Sequence, residues 1–249
     1  MKRLCLFAGY SHENKISEYV IYYLKKISKF CDVYYLDANY VEENELSKLD
    51  SIVCGRWAEI HKEYDFGSWK KLISRIGWSE IYNYKTLVFA NDSNYGPLYE
   101  MDEIFQYMDS FGLDAWGITE NFGISHHLQS YFLVFNKKVI INNEFRNFIE
   151  SITEEKSKID IVIKYEVGIS NFLIKNNFSF MPFVDRLSMS IPIGLDISRF
   201  QNTIIKNGSP FLKRKVFSNI EFPYEDLTET LMILNSLEYP IELVDFSFK

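Results

Sequence analysis

The chain opens on an apolar run and then alternates between two kinds of pattern. Residues 3–9 are apolar at nearly every position, which is typical of a strand buried on both faces of a sheet. Residues 16–30 then carry apolar side chains at helical spacing, and residues 31–36 form a second apolar run. This alternation predicts a mostly parallel sheet whose strands are joined by crossover helices.

The same patterns continue through three quarters of the chain. They predict helices over 42–49, 101–108, 138–150 and 165–176, and strands over 51–54, 86–90, 115–119, 130–135 and 178–182. The segment 63–71 leads into a further helical run that reaches about residue 76. Beyond Asp185 the periodicity weakens. We therefore expect an α/β domain over residues 1–185 and a small, helical C-terminal extension over 186–249 that packs on the same domain.

Composition and net charge limit the kinds of molecule that this chain is expected to bind. The chain is 47% apolar, 17% aromatic and 24% charged, which predicts a packed globular protein. A net charge of -7 opposes sequence-independent binding to nucleic acid, so we expect no nucleic-acid partner. The first apolar run is too short for a signal peptide, and none reaches the length of a membrane span. We expect a cytoplasmic protein.

Candidate chemistry begins where the predicted strand 86–90 ends. In open parallel sheets, ligands bind beyond the carboxyl ends of the strands, and Asn91, Asp92 and Ser93 occupy that position. A carboxylate there can hold a divalent cation that neutralises a diphosphate. The same residue types also favour an ordinary capped turn, which spacing alone supports better.

Two acidic segments lie beside predicted helices. Asp65 and Gly67 sit just before the helical run that reaches about residue 76, where a carboxylate could hold a ribose or base and a glycine allows close backbone approach. Glu166 sits at the start of the helix over 165–176, where it could act as a general base. In both cases the alternative is an acidic residue that stabilises a helix N-terminus.

Two further segments carry polar side chains. Glu120, at the end of the segment 116–120, could bind sugar hydroxyl groups. His127 follows a few residues later and could ligate a metal ion or a phosphate, although a lone surface histidine usually has no such role. The basic cluster at 208–215 contains Lys213 and Arg214, which suit a diphosphate or a lipid phosphate. A solvated helix start explains the same cluster equally well.

Taken in order, these segments resemble the rhamnan synthesis protein F family of bacterial polysaccharide glycosyltransferases. The matching stretches are Tyr-Asp-Phe-Gly-Ser-Trp-Lys (64–70), Asn-Asp-Ser-Asn-Tyr-Gly-Pro-Leu (91–98), Trp-Gly-Ile-Thr (116–119), His-Leu-Gln-Ser-Tyr-Phe-Leu-Val-Phe (127–135), Tyr-Glu-Val-Gly (165–168) and Pro-Phe-Leu-Lys-Arg (210–214). Each stretch is weak alone, whereas the ordered set is specific. The family is similar to a variant of the GT-A nucleotide-sugar fold, so the resemblance implies a GT-A-like, Rossmann-like sheet.

The resemblance also implies roles for particular residues. The implied donor-binding residues are Tyr64, Asp65, Gly67, Lys70, Asn91, Asp92, Ser93, Trp116, Gly117, His127, Gln129, Lys213 and Arg214. Glu166 is the first choice for the catalytic base and Glu120 the second. Related enzymes carry an Asp-x-Asp metal motif where this chain has one acid, Asp92. A Mg²⁺ or Mn²⁺ ion would be held by Asp92 and His127, or Lys and Arg side chains would hold the diphosphate instead.

The implied activity is transfer of a sugar, with inversion, from a nucleotide-sugar donor to a growing bacterial surface polysaccharide. Rhamnose is the first expectation, and another hexose or a furanose is the alternative. The saccharide acceptor would be lipid-linked, with peripheral docking at the inner face of the cell membrane. A non-catalytic sugar- or nucleotide-binding subunit of a polysaccharide assembly complex is the alternative function, favoured by the single acid. Nucleotidyl or phosphoryl transfer has little support, because no Gly-x-x-x-x-Gly-Lys loop is present.

Overall fold

A central sheet organises the computed structural model, which describes residues 2–218 and 223–246. The strands are β1 (Arg3–Gly9), β2 (Asp32–Asp37), β3 (Gly55–Ala58), β4 (Thr86–Asn91), β5 (Asn94–Tyr95), β6 (Ala115–Gly117), β7 (Glu120–Asn121), β8 (His127–Leu128), β9 (Phe132–Asn136), β10 (Phe180–Pro182) and β11 (Leu212–Lys213). Seven of them form one sheet in the order β10-β6-β9-β4-β1-β2-β3. Strand β9 is antiparallel to both neighbours, and the other pairings are parallel. The mostly parallel α/β sheet is confirmed.

Helices cover both faces of this sheet. They are α1 (Glu18–Ile27), α2 (Glu43–Leu46), α3 (Tyr64–Ile76), α4 (Trp78–Ile81), α5 (Met101–Asp109), α6 (Lys137–Ile140), α7 (Asn143–Glu150), α8 (Lys158–Ile161), α9 (Val167–Lys175), α10 (Gln201–Lys206), α11 (Lys215–Ser218) and α12 (Leu227–Ser236). A π-helical turn, Val162–Glu166, joins α8 to α9. Short 3₁₀ turns occupy His12–Asn14, Ser47–Leu49, Ile197–Arg199 and Ile241–Leu243. The helix expected over 101–108 is confirmed to within a residue, whereas the helical run expected after 63–71 begins earlier, at Tyr64, and ends at Ile76 as expected.

Strand β1 shows why its sequence is apolar throughout. Leu4 and Leu6 pack in the cluster on one face, which contains Trp69 of α3. Cys5 and Phe7 pack in the cluster on the other face. All four strand residues have no exposed surface. Because side chains alternate between the faces of a strand, a strand covered on both sides must be apolar at successive positions.

An aromatic cluster fills the face that carries α7 and α9. The ring of Phe145 lies 5.0 Å from that of Phe135, 5.8 Å from that of Phe172 and 6.5 Å from that of Phe89. Phe145 is 0% exposed. Here the abundant aromatic residues of the sequence supply buried surface and edge contacts within the core.

The third strand lies later than the sequence pattern predicts. We expected a strand over 51–54, whereas β3 spans Gly55–Ala58. The N–H groups of Ile52 and Val53 donate to the carbonyl oxygen of Leu49, so the apolar pair belongs to a turn. The strand that follows is only half-buried, because it lies at the edge of the sheet. The apolar pair therefore marked the turn instead of the strand.

Two predicted helices also differ from the structure. The helix expected over 138–150 is divided into α6 and α7, because the side chain of Asn142 caps the N–H groups of Glu144 and Phe145. The helix expected over 165–176 begins earlier, at α8, where the Ser157 side chain caps it. Glu166 therefore lies inside a longer helical segment, and the interpretation of Glu166 as a helix-start residue is wrong.

The C-terminal part packs on the sheet. Ile197, Ile204 and Leu234 are buried in the same cluster as Phe7 of β1. The predicted division at residue 185 stays a prediction. Within 2–218 and 223–246, no helix has the length and apolar character needed to cross a membrane.

Replacing Phe145 with alanine is expected to destabilise the protein by about 3–5 kcal/mol, because it leaves a cavity among four other rings. The matched control is Phe111→Ala, since Phe111 is 47% exposed and its loss is expected to cost below about 1 kcal/mol. Urea denaturation of both variants measures the difference. Equal destabilisation by the two substitutions would contradict the described core.

Candidate functional site

Two loops meet at the carboxyl edge of the sheet between β1 and β4. The strand order changes direction here, which is where ligands bind in open α/β sheets. The N–H of Tyr10 donates to Asp92 Oδ2 at 2.8 Å, and the hydroxyl of Tyr19 donates to the carbonyl oxygen of Asp92 at 3.0 Å. Burial raises the pKa of Asp92 to about 7, and the Tyr10 hydrogen bond opposes that rise. Asp92 therefore fastens the two loops together.

The carboxylate of Asp37, the last residue of β2, holds the first of these loops. It is 0% exposed and accepts hydrogen bonds from Ser11 N and Oγ, the Tyr35 hydroxyl and Asn39 N. Four donors satisfy a buried charge that would otherwise be strongly destabilising. Sequence reasoning missed Asp37, although its position just after an apolar strand was an available signal.

A cavity of about 340 Å³, hereafter the small cavity, opens beside the end of β4. It brings together seven of the residues predicted from sequence, which are Asp65, Asn91, Ser93, His127, Gln129, Glu166 and Lys213. Tyr131, Lys158, Asp196 and Lys215 also line it and were absent from the predicted site. Lys158 and Asp196 carry no local sequence signal, because a lone charge in a loop or helix is typical of any surface.

Helix α3 presents Asp65 to this cavity. The indole N–H of Trp69 donates to the carbonyl oxygen of Ala90 at 3.1 Å and fixes the helix against β4. Asn91 Nδ2 then donates to Asp65 Oδ2 at 2.7 Å, and Asn91 Oδ1 accepts from Ser93 N and Oγ. Burial raises the pKa of Asp65, while the bond from Asn91 lowers it. The pair forms a rigid polar corner of the cavity.

The π-helical turn directs Glu166 into the small cavity. Lys158, Val162 and Glu166, each four residues apart, all line it. In an α-helix of 3.6 residues per turn, side chains four positions apart point in slightly different directions. The wider π-helical turn brings the direction of Glu166 closer to that of Lys158. Glu166 Oε1 accepts a hydrogen bond from the N–H of Ser130 at 2.8 Å. One carboxylate oxygen is therefore fixed by the backbone at the cavity wall.

His127 and Gln129 line the opposite part of the cavity. His127 is 4% exposed, and its Nδ1 lies 2.7 Å from the carbonyl oxygen of Ser125. Because a carbonyl only accepts, Nδ1 carries the hydrogen and Nε2 keeps a lone pair in the neutral ring. Gln129 Oε1 accepts from Thr119 Oγ1 at 2.7 Å, and Gln129 Nε2 lies 3.4 Å from Asp196 Oδ1.

A C-terminal segment, residues 210–215, crosses the carboxyl edge, and we call it the strap. Its strand β11 pairs antiparallel with β5, with Leu212 opposite Tyr95 and Lys213 opposite Asn94. The N–H of Arg214 also donates to the carbonyl oxygen of Ser93 at 3.1 Å. These bonds place the strap against the loop that follows β4.

The strap divides two cavities. Lys213 lines the small cavity, whereas Arg214 lines a second cavity of about 1050 Å³, hereafter the large cavity. Ser93 and Lys215 line both cavities, so the two spaces meet beside the strap.

Charges of both signs surround the strap. Burial lowers the pKa of Lys213 to about 8, and the carboxylates of Glu166, Asp196 and Asp65 oppose that shift. Burial also acts to lower the pKa of Arg214, but Tyr19, Asp92 and Tyr95 raise it overall. At neutral pH both side chains are mainly protonated, which suits an anionic ligand at the junction of the cavities.

Six of the predicted donor residues line neither cavity. They are Tyr64, Gly67, Lys70, Asp92, Trp116 and Gly117. Lys70 Nζ donates to the carbonyl oxygen of Ile152 at 2.7 Å, and the ring of Trp116 packs against Phe105 in the core. In the structure these two residues hold elements together.

Glu120, the second candidate for the base, is also outside the small cavity. It lies in β7 and is 5% exposed. Its Oε2 is 2.7 Å from Nε2 of His126, whose ring stacks on that of Phe122. The structure therefore places only Glu166 of the two candidates at the cavity.

The predicted metal ligands, Asp92 and His127, do not belong to a preformed metal cluster. His127 lines the small cavity, whereas Asp92 lies behind it and accepts the N–H of Tyr10. Across residues 2–218 and 223–246, no three His, Cys, Asp or Glu side chains are arranged to hold a metal ion. The side chains present thus do not fit a protein-built metal site, and the metal-ligand role of this pair stays a prediction.

The strand order and a charged cavity at the carboxyl edge place the chain in the doubly wound α/β class, whose ligands bind at this edge. Within that class, the chain belongs to the rhamnan synthesis protein F family, whose model matches residues 34–247. The family resemblance is confirmed by this match, and the mostly parallel α/β sheet that the sequence predicts is present in the structure. The protein y4gN of Sinorhizobium fredii is 27% identical over 153 residues, which are 60% of this chain and 38% of that relative.

Several solved structures match the chain with TM-scores below 0.5. The TarS fragment 1–349 of S. aureus in complex with UDP gives a TM-score of 0.43 at 10% identity, covering 58% of this chain and 49% of that fragment. A Desulfovibrio desulfuricans protein described as a nucleotide-diphospho-sugar transferase gives 0.46 at 11%, covering 73% and 78%. A cytidylyltransferase from Leptospira borgpetersenii gives 0.43 at 13%, covering 98% and 97%. At these scores no residue role is transferred.

Substituting Gly96 with alanine is expected to displace the strap. Gly96 has φ +137°, and an added Cβ would lie 2.4 Å from the carbonyl oxygen of Pro210. We expect a loss of about 2–4 kcal/mol of stability together with weaker nucleotide binding. The control is Gly112→Ala, with φ +64° but no atom within 4 Å of the added Cβ, which is expected to cost about 1 kcal/mol. Thermal melting and nucleotide titration of both variants check this, and unchanged binding in the Gly96 variant would count against the strap.

Proposed function

We propose that the chain is a glycosyltransferase that moves a sugar from a nucleotide-sugar donor to a hydroxyl of a saccharide acceptor, with inversion. The observation that carries this proposal is the small cavity at the carboxyl edge, which combines the carboxylate of Glu166 with the ammonium of Lys213. A base for an acceptor hydroxyl and a cation for a departing diphosphate are the two groups that this reaction needs. Membership of the rhamnan synthesis protein F family supports the same activity.

The two cavities suggest how the donor lies. The donor sugar occupies the small cavity, where Asp65, Gln129 and Asp196 offer oxygen and nitrogen atoms to its hydroxyl groups. Its diphosphate lies beside the strap, and the nucleoside extends toward the large cavity. Ser93 and Lys215 line both spaces, so one ligand can pass from one to the other.

The proposed reaction is a single displacement. Glu166 accepts the proton of the acceptor hydroxyl as that oxygen forms a bond to the anomeric carbon of the donor sugar. The bond from the anomeric carbon to the diphosphate oxygen breaks, and its electron pair leaves with the nucleoside diphosphate. Lys213 stabilises the negative charge that develops on this leaving group. The backbone N–H of Ser130 holds Glu166 in place during the transfer.

The substrates belong to the same proposal. The family name supports rhamnose as the transferred sugar and a bacterial surface polysaccharide, such as a capsule or an O antigen of lipopolysaccharide, as the product. Another hexose or a furanose is the alternative sugar, and a lipid-linked saccharide at the inner face of the membrane is the proposed acceptor. The chain spans 38% of the length of its relative y4gN, and its substrates and partners are therefore given as proposals.

Replacing Glu166 with glutamine is expected to lower the rate of transfer by about 10²–10⁴-fold, because the amide cannot accept the proton. Donor affinity should stay within a few-fold, since the side-chain oxygen can still accept from Ser130. The donor is first found by thermal shift against a nucleotide-sugar panel, and turnover is then measured as transfer or donor hydrolysis. Glu103→Gln, which alters an exposed residue of α5, is the matched control.

Two results would change the assignment. Full turnover by the Glu166 variant with a loss in Glu120→Gln would move the base to the second candidate. Donor binding without turnover in the wild-type protein, with or without acceptor saccharides, would favour the non-catalytic binding subunit instead.

Donor affinity is expected to fall as the pH rises through about 8. Burial lowers the pKa of Lys213 to about 8, so the side chain loses its charge above that pH and no longer attracts the diphosphate. We expect the dissociation constant to be nearly constant from pH 7 to 8 and to rise by up to about tenfold per unit above it. Calorimetric titration of Lys213→Met should show a flat profile over the same range. The exposed-site control, Lys29→Met, should keep the wild-type profile.

A further inference from the structure

We propose that Lys213 and Arg214 of the strap take the place of a divalent cation, so that the nucleoside diphosphate binds and leaves without a metal ion. This inference rests on the proposed function, because it concerns the diphosphate of the same donor. In this proposal, the positive charge that stabilises the leaving group comes from two side chains in the last sixth of the chain. The alternative is a metal ion held by Asp92 and His127, and the experiment below distinguishes the two arrangements.

The first argument is position. Lys213 lines the small cavity and Arg214 lines the large cavity, while Ser93 and Lys215 line both. A ligand that passes from one cavity to the other must therefore pass beside the strap. A diphosphate at this junction would have a cation on each side, which resembles the clamp that a bound metal ion provides.

The second argument is that both cations rest on buried tyrosine rings. Lys213 Nζ lies 4.1 Å from the ring centre of Tyr131, and the Arg214 guanidinium lies 4.6 Å from that of Tyr19. The hydroxyl of Tyr131 is 2.7 Å from Thr119 Oγ1, and the hydroxyl of Tyr19 donates to the carbonyl oxygen of Asp92. Rings fixed in this way hold the two charges in place before a ligand arrives.

The third argument is unused hydrogen-bonding capacity. The Nε atom of Arg214 is buried and has no hydrogen-bond partner in the part of the chain that the structure describes. The rest of the Arg214 guanidinium is held by a hydrogen bond with the Tyr95 side chain, and carboxylates lie near both Lys213 and Arg214. A buried donor without a partner is destabilising, so a site that keeps Arg214 Nε unpaired is suited to an anionic ligand that accepts its hydrogen bond.

The fourth argument concerns Asp92, which stands where a metal-binding carboxylate would be. Its side chain lies behind the cavity wall and accepts the N–H of Tyr10, and it is 9% exposed. A metal ligand must present its oxygen to the diphosphate, whereas this oxygen holds two loops together. Asp92 is therefore an anchor of the loops and not a partner of the ligand.

The experiment is calorimetric titration of the wild-type protein with UDP, GDP, CDP and dTDP, each in EDTA and in Mg²⁺ or Mn²⁺. We expect the nucleotide that binds to do so in EDTA with an affinity within about threefold of that in metal. Lys213→Met and Arg214→Met should each weaken binding in EDTA by about tenfold to a hundredfold, because each removes hydrogen bonds from a charged donor. Lys29→Met, which alters the net charge equally at an exposed site, should leave affinity unchanged.

The possible failures are distinguishable. Binding that appears only with Mg²⁺ or Mn²⁺ would overturn the inference and leave the proposed function standing. Unchanged affinity in both strap variants would also overturn it, provided that their melting temperatures match the wild type. If no nucleotide binds with or without metal, the proposed function itself fails. The wild-type comparison with EDTA needs no variant, so the test does not depend on how the substitutions fold.

Discussion

The antiparallel pairing of β11 with β5 is the contact on which the carboxyl edge depends. It brings residues from the last sixth of the chain against the loop after β4, more than a hundred positions earlier in sequence. The approach is so close that only a glycine fits at position 96, where a side chain would meet the carbonyl oxygen of Pro210. This pairing places Lys213 in the wall of the small cavity and Arg214 in the wall of the large cavity.

Charge around the strap is balanced in a way that suits a transient anion. Lys213 lies near the carboxylates of Glu166, Asp196 and Asp65, which offset part of the cost of burying its ammonium group. These carboxylates keep the Lys213 ammonium group in place when no ligand is bound, and a diphosphate that enters can interact with the same ammonium group. Removing charges from water before the ligand binds also strengthens their interaction with it, since the local dielectric is low.

The sequence pattern predicted where polar residues lie better than it predicted what they do, because several of them hold neighbouring segments together. Asp92 and Lys70 were expected to touch the donor, yet one accepts the Tyr10 N–H and the other donates to the Ile152 carbonyl oxygen. Polar residues after a strand or in a first helical turn satisfy backbone groups as readily as they bind ligands. Glu166 shows the opposite case, because a π-helical turn that no pattern predicts directs it into the cavity.

The order of strands and helices, and the sheet edge at which chemistry is expected, could be predicted from the sequence because apolar periodicity is a local property. Motifs whose order matches the family also predicted seven lining residues of the small cavity. The antiparallel direction of β9, the position of Glu120 outside the cavity and the place of Asp196 in its wall are visible only in the folded chain. Those features depend on which distant segments pack together, and pairing across long separations leaves no periodic trace in the chain.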